Sequence, residues 1–256
     1  MKICIIKIGT DTIIQDGQVD IGFLDKLKLE IEILNNKQVK CVLVCSGAVA
    51  IGRNIMNNIL KDNRSDNLRV MAAIGQPYLI EMLNKYIGHI VAQVLVTSHD
   101  FINLEVRSVL SQTMFEMLDM GIIPVINEND LLSNEELDQV PLFNDNDALA
   151  VNIASIVSAK WLVIMSAGID GLYINYDNKE LGIYRQVSNV EELLIGLSDS
   201  KSTGGRGGMH AKLLSIKKAI DNYQQVYLIN GYNPSNISKS LLRDSEFVGT
   251  VFKIDG

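Results

Sequence analysis

Seven short runs of apolar, mostly β-branched residues punctuate the chain, at 3–8, 41–45, 90–96, 122–126, 162–165, 226–229 and 248–254. Each has the length of a strand, and most are apolar throughout rather than at alternate positions. That pattern predicts strands buried on both faces, as in a parallel sheet covered by helices. Between the runs, apolar residues recur at helical spacing. The clearest case puts Leu68, Met71, Ala72, Gly75, Leu79, Met82, Leu83 and Tyr86 on one side of a helix. The alternation of the two patterns predicts an α/β sandwich. Two stretches interrupt it. Residues 131–144 are polar and irregular, and residues 171–187, centred on Asp177-Asn178-Lys179, predict a hairpin. No internal repeat, low-complexity tract or Pro-rich linker is visible, and the last run reaches the terminus, so no appended domain is expected.

Length and composition narrow the possibilities. A chain of 256 residues makes one large α/β domain or two intimate lobes. It would bury roughly 70–75% of its unfolded surface and needs no covalent staples. Cys4, Cys41 and Cys45 leave an odd count without ligand spacing. Cys41 and Cys45 fall on one strand face, which suits packing and a reducing cytoplasm. The net charge of −7 argues against a nucleic-acid partner, whose phosphates demand a basic face. Residues 148–169 are apolar enough to suggest a membrane span. Lys160 at their centre would cost ~2.5–3.5 kcal/mol there, so the stretch reads as a helix, a turn and a buried strand. Met1-Lys2 leads straight into the first apolar run without a signal peptide. The expectation is a cytoplasmic protein that does not enter a membrane.

Charge is segregated along the chain. Residues 127–147 carry seven acids and no Lys or Arg, whereas residues 200–220 carry five bases and no acid. Either run alone is most simply a solvated face. Together, one Asn-rich and one Gly-rich, they read as two halves of a site.

Five motifs sharpen that reading. Lys7 lies inside the first apolar run, where an ammonium is costly unless it meets an anion or emerges at the strand end. Gly9 then lets the backbone turn closely and bare its N–H groups. A snorkelling edge lysine would fit the same residues. At Cys45-Ser46-Gly47-Ala48 a strand gives way to a helix whose first amides would bind phosphate or carboxylate, unless Ser46 is only an N-cap. Asn127-Glu128-Asn129-Asp130 crowds polar groups at the carboxyl end of a strand, where parallel sheets bind ligands. Asn144-Asp145-Asn146-Asp147 offers more acceptors than a helix cap uses. It lacks the glycine and glutamate of an EF-hand loop, so no metal site made by protein side chains is expected. Residues 203–212 open a helix with four glycines, Arg206 and Lys212, the strongest phosphate signal in the chain. That stretch is neither a Walker A loop nor a GxGxxG fingerprint. His89, His99 and His210 share no metal or triad spacing.

In order along the chain, KIGT at 7–10, CSGAVAIGR at 45–53, AAIGQ at 72–76, PVINEND at 124–130, DND at 145–147 and GGMHAK at 207–212 resemble the amino acid kinase family. INEND followed by DND resembles the branch that phosphorylates glutamate rather than those acting on acetylglutamate, uridylate or carbamate. The resemblance implies a three-layer α/β/α sandwich with a mostly parallel central sheet. One kinase domain would span 1–256, with about 1–160 binding the amino acid and about 161–256 the nucleotide, and no C-terminal RNA-modification-type (PUA) domain. It implies transfer of a phosphoryl group from ATP, accompanied by Mg²⁺, to the γ-carboxylate of L-glutamate, the opening of proline synthesis. Feedback by proline, sensed at 131–144, and a homo-oligomer come with it.

Residue by residue, the resemblance implies that Lys7 and Lys212 touch the transferring group and that Asp147 holds both in place. Ser46, Asp130 and Asn146 would bind glutamate, with Asn127 and Asp145 lining its pocket. Lys7, Gly9, Ala167 and Gly168 would meet the nucleotide, and Arg206, Gly207, Gly208, Met209, His210, Ala211 and Lys212 would lie along its phosphates. Three places depart from the family: Ala167-Gly168 stand where Ser/Thr-Asp is usual, Arg206 where Thr is, and Asp11 where Ser is. The alternatives are a kinase for a related acidic amino acid such as N-acetylglutamate, and a catalytically weak nucleotide or amino-acid sensor. An acetylated amine has no use for the Asp130 charge, and retention of Lys7, Asp147 and Lys212 argues against a sensor.

Overall fold

A computed structural model of the chain describes residues 1–60, 67–132, 146–198, 206–222 and 224–253. The first apolar run forms β1 (Lys2–Ile8), followed by α1 (Thr10–Ile13), β2 (Ile14–Gln15) and β3 (Gln18–Val19). β2 and β3 pair as a small hairpin turning on Asp16 and Gly17 at φ of 51° and 73°, the conformation a two-residue turn demands. Two residues per strand leave no periodicity, so the sequence pattern does not signal it. Next come α2 (Ile21–Asn36), β4 (Val39–Cys45), α3 (Ala48–Ile55), α4 (Leu68–Tyr86), β5 (Val91–Val96), α5 (Ser98–Ile102), α6 (Leu104–Asp119) and β6 (Ile123–Glu128). The remainder adds α7 (Asn146–Ile156), β7 (Trp161–Ser166), β8 (Gln186–Val187), α8 (Val190–Ser198), α9 (Arg206–Asp221), β9 (Gln225–Asn230), α10 (Asn236–Leu242) and β10 (Thr250–Phe252).

All seven apolar runs are strands of one sheet, in the order β5-β6-β4-β1-β7-β9-β10-β8. Its pairings are parallel except β9 with β10. The last run is shorter than expected and, with β8, runs antiparallel to the other strands. Along β1, Ile3 and Ile5 enter one core with Met114 of α6, Leu149 of α7 and Leu213 of α9. Cys4, Ile6 and Ile8 enter the other, with Leu27 of α2, Leu79 of α4 and Ile237 of α10. Burial on both faces explains why the central strands do not alternate, and the result is the three-layer α/β/α sandwich. The chain leaves β1 for β4 on one side and later returns to β7 on the other. That reversal opens a crevice at the carboxyl ends of β1, β4 and β7, where open α/β sheets place ligands.

Two motif glycines have a packing role. A Cβ on Gly75 of α4 would overlap the carbonyl of Ala48, and one on Gly52 of α3 the carbonyl of Met71. The two helices therefore touch backbone to backbone, and α4 props the first turn of α3.

Residues 171–187 are less regular than the expected hairpin. One antiparallel bridge joins Tyr173 and Ile183, and a short 3₁₀ turn spans Lys179–Leu181. Two backbone bonds cross it, from the Ile174 N–H to the Gly182 carbonyl at 3.0 Å and from the Tyr184 N–H to the Leu172 carbonyl at 2.8 Å. Thr250 reinforces them: its Oγ1 accepts from the Leu172 N–H at 2.8 Å and donates to the Tyr184 carbonyl at 2.6 Å. Residues 148–169 divide as expected into α7, a turn and β7, with the Lys160 ammonium 5.0 Å from the centre of the Trp161 ring. Among the described residues no helix is long and apolar enough to cross a membrane. Cys4, Cys41 and Cys45 are free and buried, and burial pushes the Cys41 and Cys45 thiols up to about 12. Residues 133–144 of the expected irregular stretch lie outside the described residues.

Candidate active site

Alternation along β1 puts Lys7 on the same face as Ile3 and Ile5, beneath α7 and α9, one residue before the strand ends. Its Nζ lies 2.7 Å from Oδ1 of Asp147. Asp147 sits in the first turn of α7, where the helix dipole favours an acid. From α9, Lys212 Nζ donates to the other oxygen, Oδ2. Asp147 is 2% exposed and Lys7 9%, so Lys7 is no snorkelling edge residue. Burial pushes the Asp147 carboxyl up, but the ammonium groups of Lys7 and Lys212 outweigh it and hold the pKa below the usual carboxylate range. One carboxylate thus spaces two cations and leaves the cluster with a net positive charge at the crevice. A Cβ on Gly9 would stand 3.8 Å from Lys7 Nζ and 3.7 Å from the Met165 carbonyl, in the space above the ammonium.

The question left at Ser46 resolves against a cap. The N-cap of α3 is Gly47, at φ 114°, and no side chain caps the helix. The first amides of α3 are therefore available to an anion. Ser46 instead ties its N–H to the Ile8 carbonyl at 3.1 Å, and its Oγ accepts from Asn146 Nδ2 at 2.6 Å. Asn146 Nδ2 also reaches Asn127 Oδ1 at 3.4 Å, and Asn127 Nδ2 donates to Gln76 Oε1 at 3.0 Å. Ser46, Asn127, Asp130 and Asn146 line one cavity of about 320 Å³ that follows α3 from Ser46 to Arg53. These are four of the five residues expected around the amino acid; the fifth, Asp145, lies outside the described residues.

Thr10, Arg53 and Glu128 line the same cavity, and Gln76 buttresses it from α4; all four lie in the motifs quoted above, but none was given a role of its own from sequence. Gln76 did leave a signal. It falls between Ala72 and Leu79 on the apolar side of α4 and is 6% exposed, and a polar residue on a buried face needs a partner.

On the other side of the crevice, Ala167 and Gly168 follow β7, with Gly168 at φ 71°. Asn230, at the end of β9, donates from Nδ2 to Asp170 Oδ1 at 2.8 Å and so ties the two strand ends together. Arg206 and Gly207 open α9, and Gly208 is exposed, with open space where a Cβ would be. Met209 is buried in the core shared with α7, so its side chain anchors the helix start. His210 and Ala211 are half-buried on the next positions. Among the described residues no acid, His or Cys cluster could hold a metal ion.

Comparisons with known proteins identify the family and the fold. The model of the amino acid kinase family matches residues 2–230. The chain is 33% identical to a glutamate 5-kinase of Enterococcus faecalis, over 98% of this chain and 94% of that protein. It is 34% identical to a glutamate 5-kinase of Clostridium perfringens, over 98% and 95%. A solved carbamate kinase from Giardia lamblia bound to AMP-PNP aligns with a TM-score of 0.67 at 14% identity, covering 99% of both chains. A UMP kinase from Bacillus anthracis aligns with a TM-score of 0.63 at 17% identity, covering 100% of this chain and 97% of that one. At such identities the structural likeness speaks for the fold alone.

Proposed function

The chain belongs to the amino acid kinase family, and from that premise we propose that it transfers the γ-phosphoryl group of ATP to the γ-carboxylate of L-glutamate. The products are ADP and γ-glutamyl phosphate, the entry to proline biosynthesis. Near-full-length relatives named glutamate 5-kinase support the reaction. The observation that carries it in this chain is the buried Lys7–Asp147–Lys212 cluster beside a cavity lined by amides and acids.

The chemistry needs little from acids or bases, because the nucleophile is already a carboxylate. Repulsion between two anions is the obstacle, and fixed cations with good aim lower it. Lys7 and Lys212 face the transferring group, and Asp147, ionised at neutral pH, keeps both ammoniums on target. Ser46 Oγ has its acceptor side occupied by Asn146, which leaves its proton to donate to the γ-carboxylate alongside the first amides of α3. Asn127 fixes Asn146, and Asp130 pairs with the α-ammonium.

The ATP phosphates would lie by Gly9, the glycine-bared start of α9 and the two lysines. Mg²⁺ arriving with ATP would shield phosphate charge. On this reading the first 160 residues or so hold the amino acid and the rest hold the nucleotide. Proline, with its own amine and carboxylate, would compete near the glutamate pocket. The three unpaired, buried cysteines support a cytoplasmic setting.

The test is to trap the acyl phosphate. With ATP, glutamate and hydroxylamine, γ-glutamyl hydroxamate should accumulate in step with ADP. ADP release with no hydroxamate would overturn the reaction.

A further inference from the structure

Glutamate brings three charges into the cavity; Ser46 with the first amides of α3 answers one and Asp130 another. Resting on the reaction above, we propose that Arg53 binds the α-carboxylate of the amino-acid substrate and selects for it. Arg53 follows Val49 and Ala50 by four and three residues, so the three share one face of α3, and all three line the cavity. It lies five residues beyond Ala48, or about 7.5 Å along the helix axis. One helix face therefore offers an anion seat at each end: bare amides at its start and a guanidinium near its finish. A dicarboxylate fits such a cavity lengthwise.

The acids lining the cavity favour this assignment. Glu128 and Asp130 line the same cavity; they suit an ammonium and repel a carboxylate. Arg53 is the only cationic side chain among the described residues lining it. It is exposed, and it forms no ion pair with a described residue. A guanidinium at the mouth can grip a carboxylate with two parallel hydrogen bonds, which an ammonium cannot. As a cation in the last turn of α3 it also complements the helix dipole, a structural effect that would not distinguish one substrate from another.

The experiment compares L-glutamate with its α-amide, which keeps the γ-carboxylate and the α-ammonium. Wild-type kcat/KM should fall by about 10–100-fold for the α-amide, the range expected when a hydrogen bond to a charged group is lost. Arg53→Ala should raise the glutamate KM by a similar factor with kcat held within about twofold, the pattern of lost uniform binding. The same variant should treat glutamate and the α-amide nearly alike, and Arg53→Lys should fall between. An unchanged KM for ATP checks that the variants are folded, and Arg53→Lys carries the test if the alanine variant is not. A glutamate to α-amide ratio in Arg53→Ala equal to that of the wild type would overturn the assignment alone. No turnover of glutamate by the wild type would overturn the reaction and this assignment with it.

Discussion

Asp147→Asn is the substitution that most directly probes the buried cluster. It preserves shape but removes the negative charge between Lys7, whose Nζ is 2.7 Å from Oδ1, and Lys212 on the other oxygen. The new amide can accept from one ammonium, while its NH₂ group points donors at the other. With an effective dielectric of about 20, two ammoniums roughly 6 Å apart repel by about 3 kcal/mol. The lysine side chains retain 11% and 12% exposure, so both have a route outward, and they should swing off target rather than unfold the chain. Loss of one preorganised electrostatic group typically costs ~10²–10³ in kcat, about 3–4 kcal/mol. We expect a drop of that size in steady-state ADP release at saturating ATP and glutamate, with a modest change in the glutamate KM. Lys212→Ala should behave alike. A folded Asp147→Asn enzyme with kcat within about threefold of wild type would refute the role assigned to this carboxylate.

Three other outcomes follow from the same geometry. Asp130→Ala should raise the glutamate KM strongly and spare kcat, because an ion pair with the α-ammonium changes little as the phosphoryl group moves; a kcat loss at unchanged KM would count against it. Gly75→Ala drives a Cβ into the Ala48 carbonyl, and overpacking of about 1–3 kcal/mol should lower the melting temperature by roughly 2–10 °C; an unchanged melt would mean that α3 and α4 do not touch at backbone distance. Finally, Asp147 titrates below its ordinary value of 3.8, so the stability from its ionised form is complete above that pH and is lost as pH falls through the lower, folded pKa. The acid limb of wild-type stability below about pH 3.8 should therefore be steeper than that of Asp147→Asn, and identical limbs would contradict the cluster's electrostatics.

Much of this was legible before the fold, for identifiable reasons. Lys7 stood out because a charge within an apolar strand needs a partner, and Asp147 because its segment held more acceptors than a cap uses. Which partner each takes was not legible. Asp147 and Lys212 are 65 residues apart and meet only because α7 and α9 pack on one face of the sheet. Ser46 could not be separated from a cap until Gly47 was seen to hold that position at positive φ. The hairpin of β2 and β3 was too short to leave a period, and the expected hairpin at 171–187 forms only a short ladder, which Thr250 from the far end of the chain reinforces. Arg53 lay in a quoted motif without a role, because a cation ending a short helix says nothing of the cavity beside it.

The reaction proposed for this chain is phosphorylation of an acidic amino acid recognised by its free α-ammonium. The most direct measurement is kcat/KM for L-glutamate and for N-acetylglutamate in one coupled ADP-release assay. Acetylation removes the ammonium that faces Asp130 and leaves both carboxylates in place. Glutamate should be turned over and N-acetylglutamate should not; equal kcat/KM for the two would mean that the ammonium is not recognised.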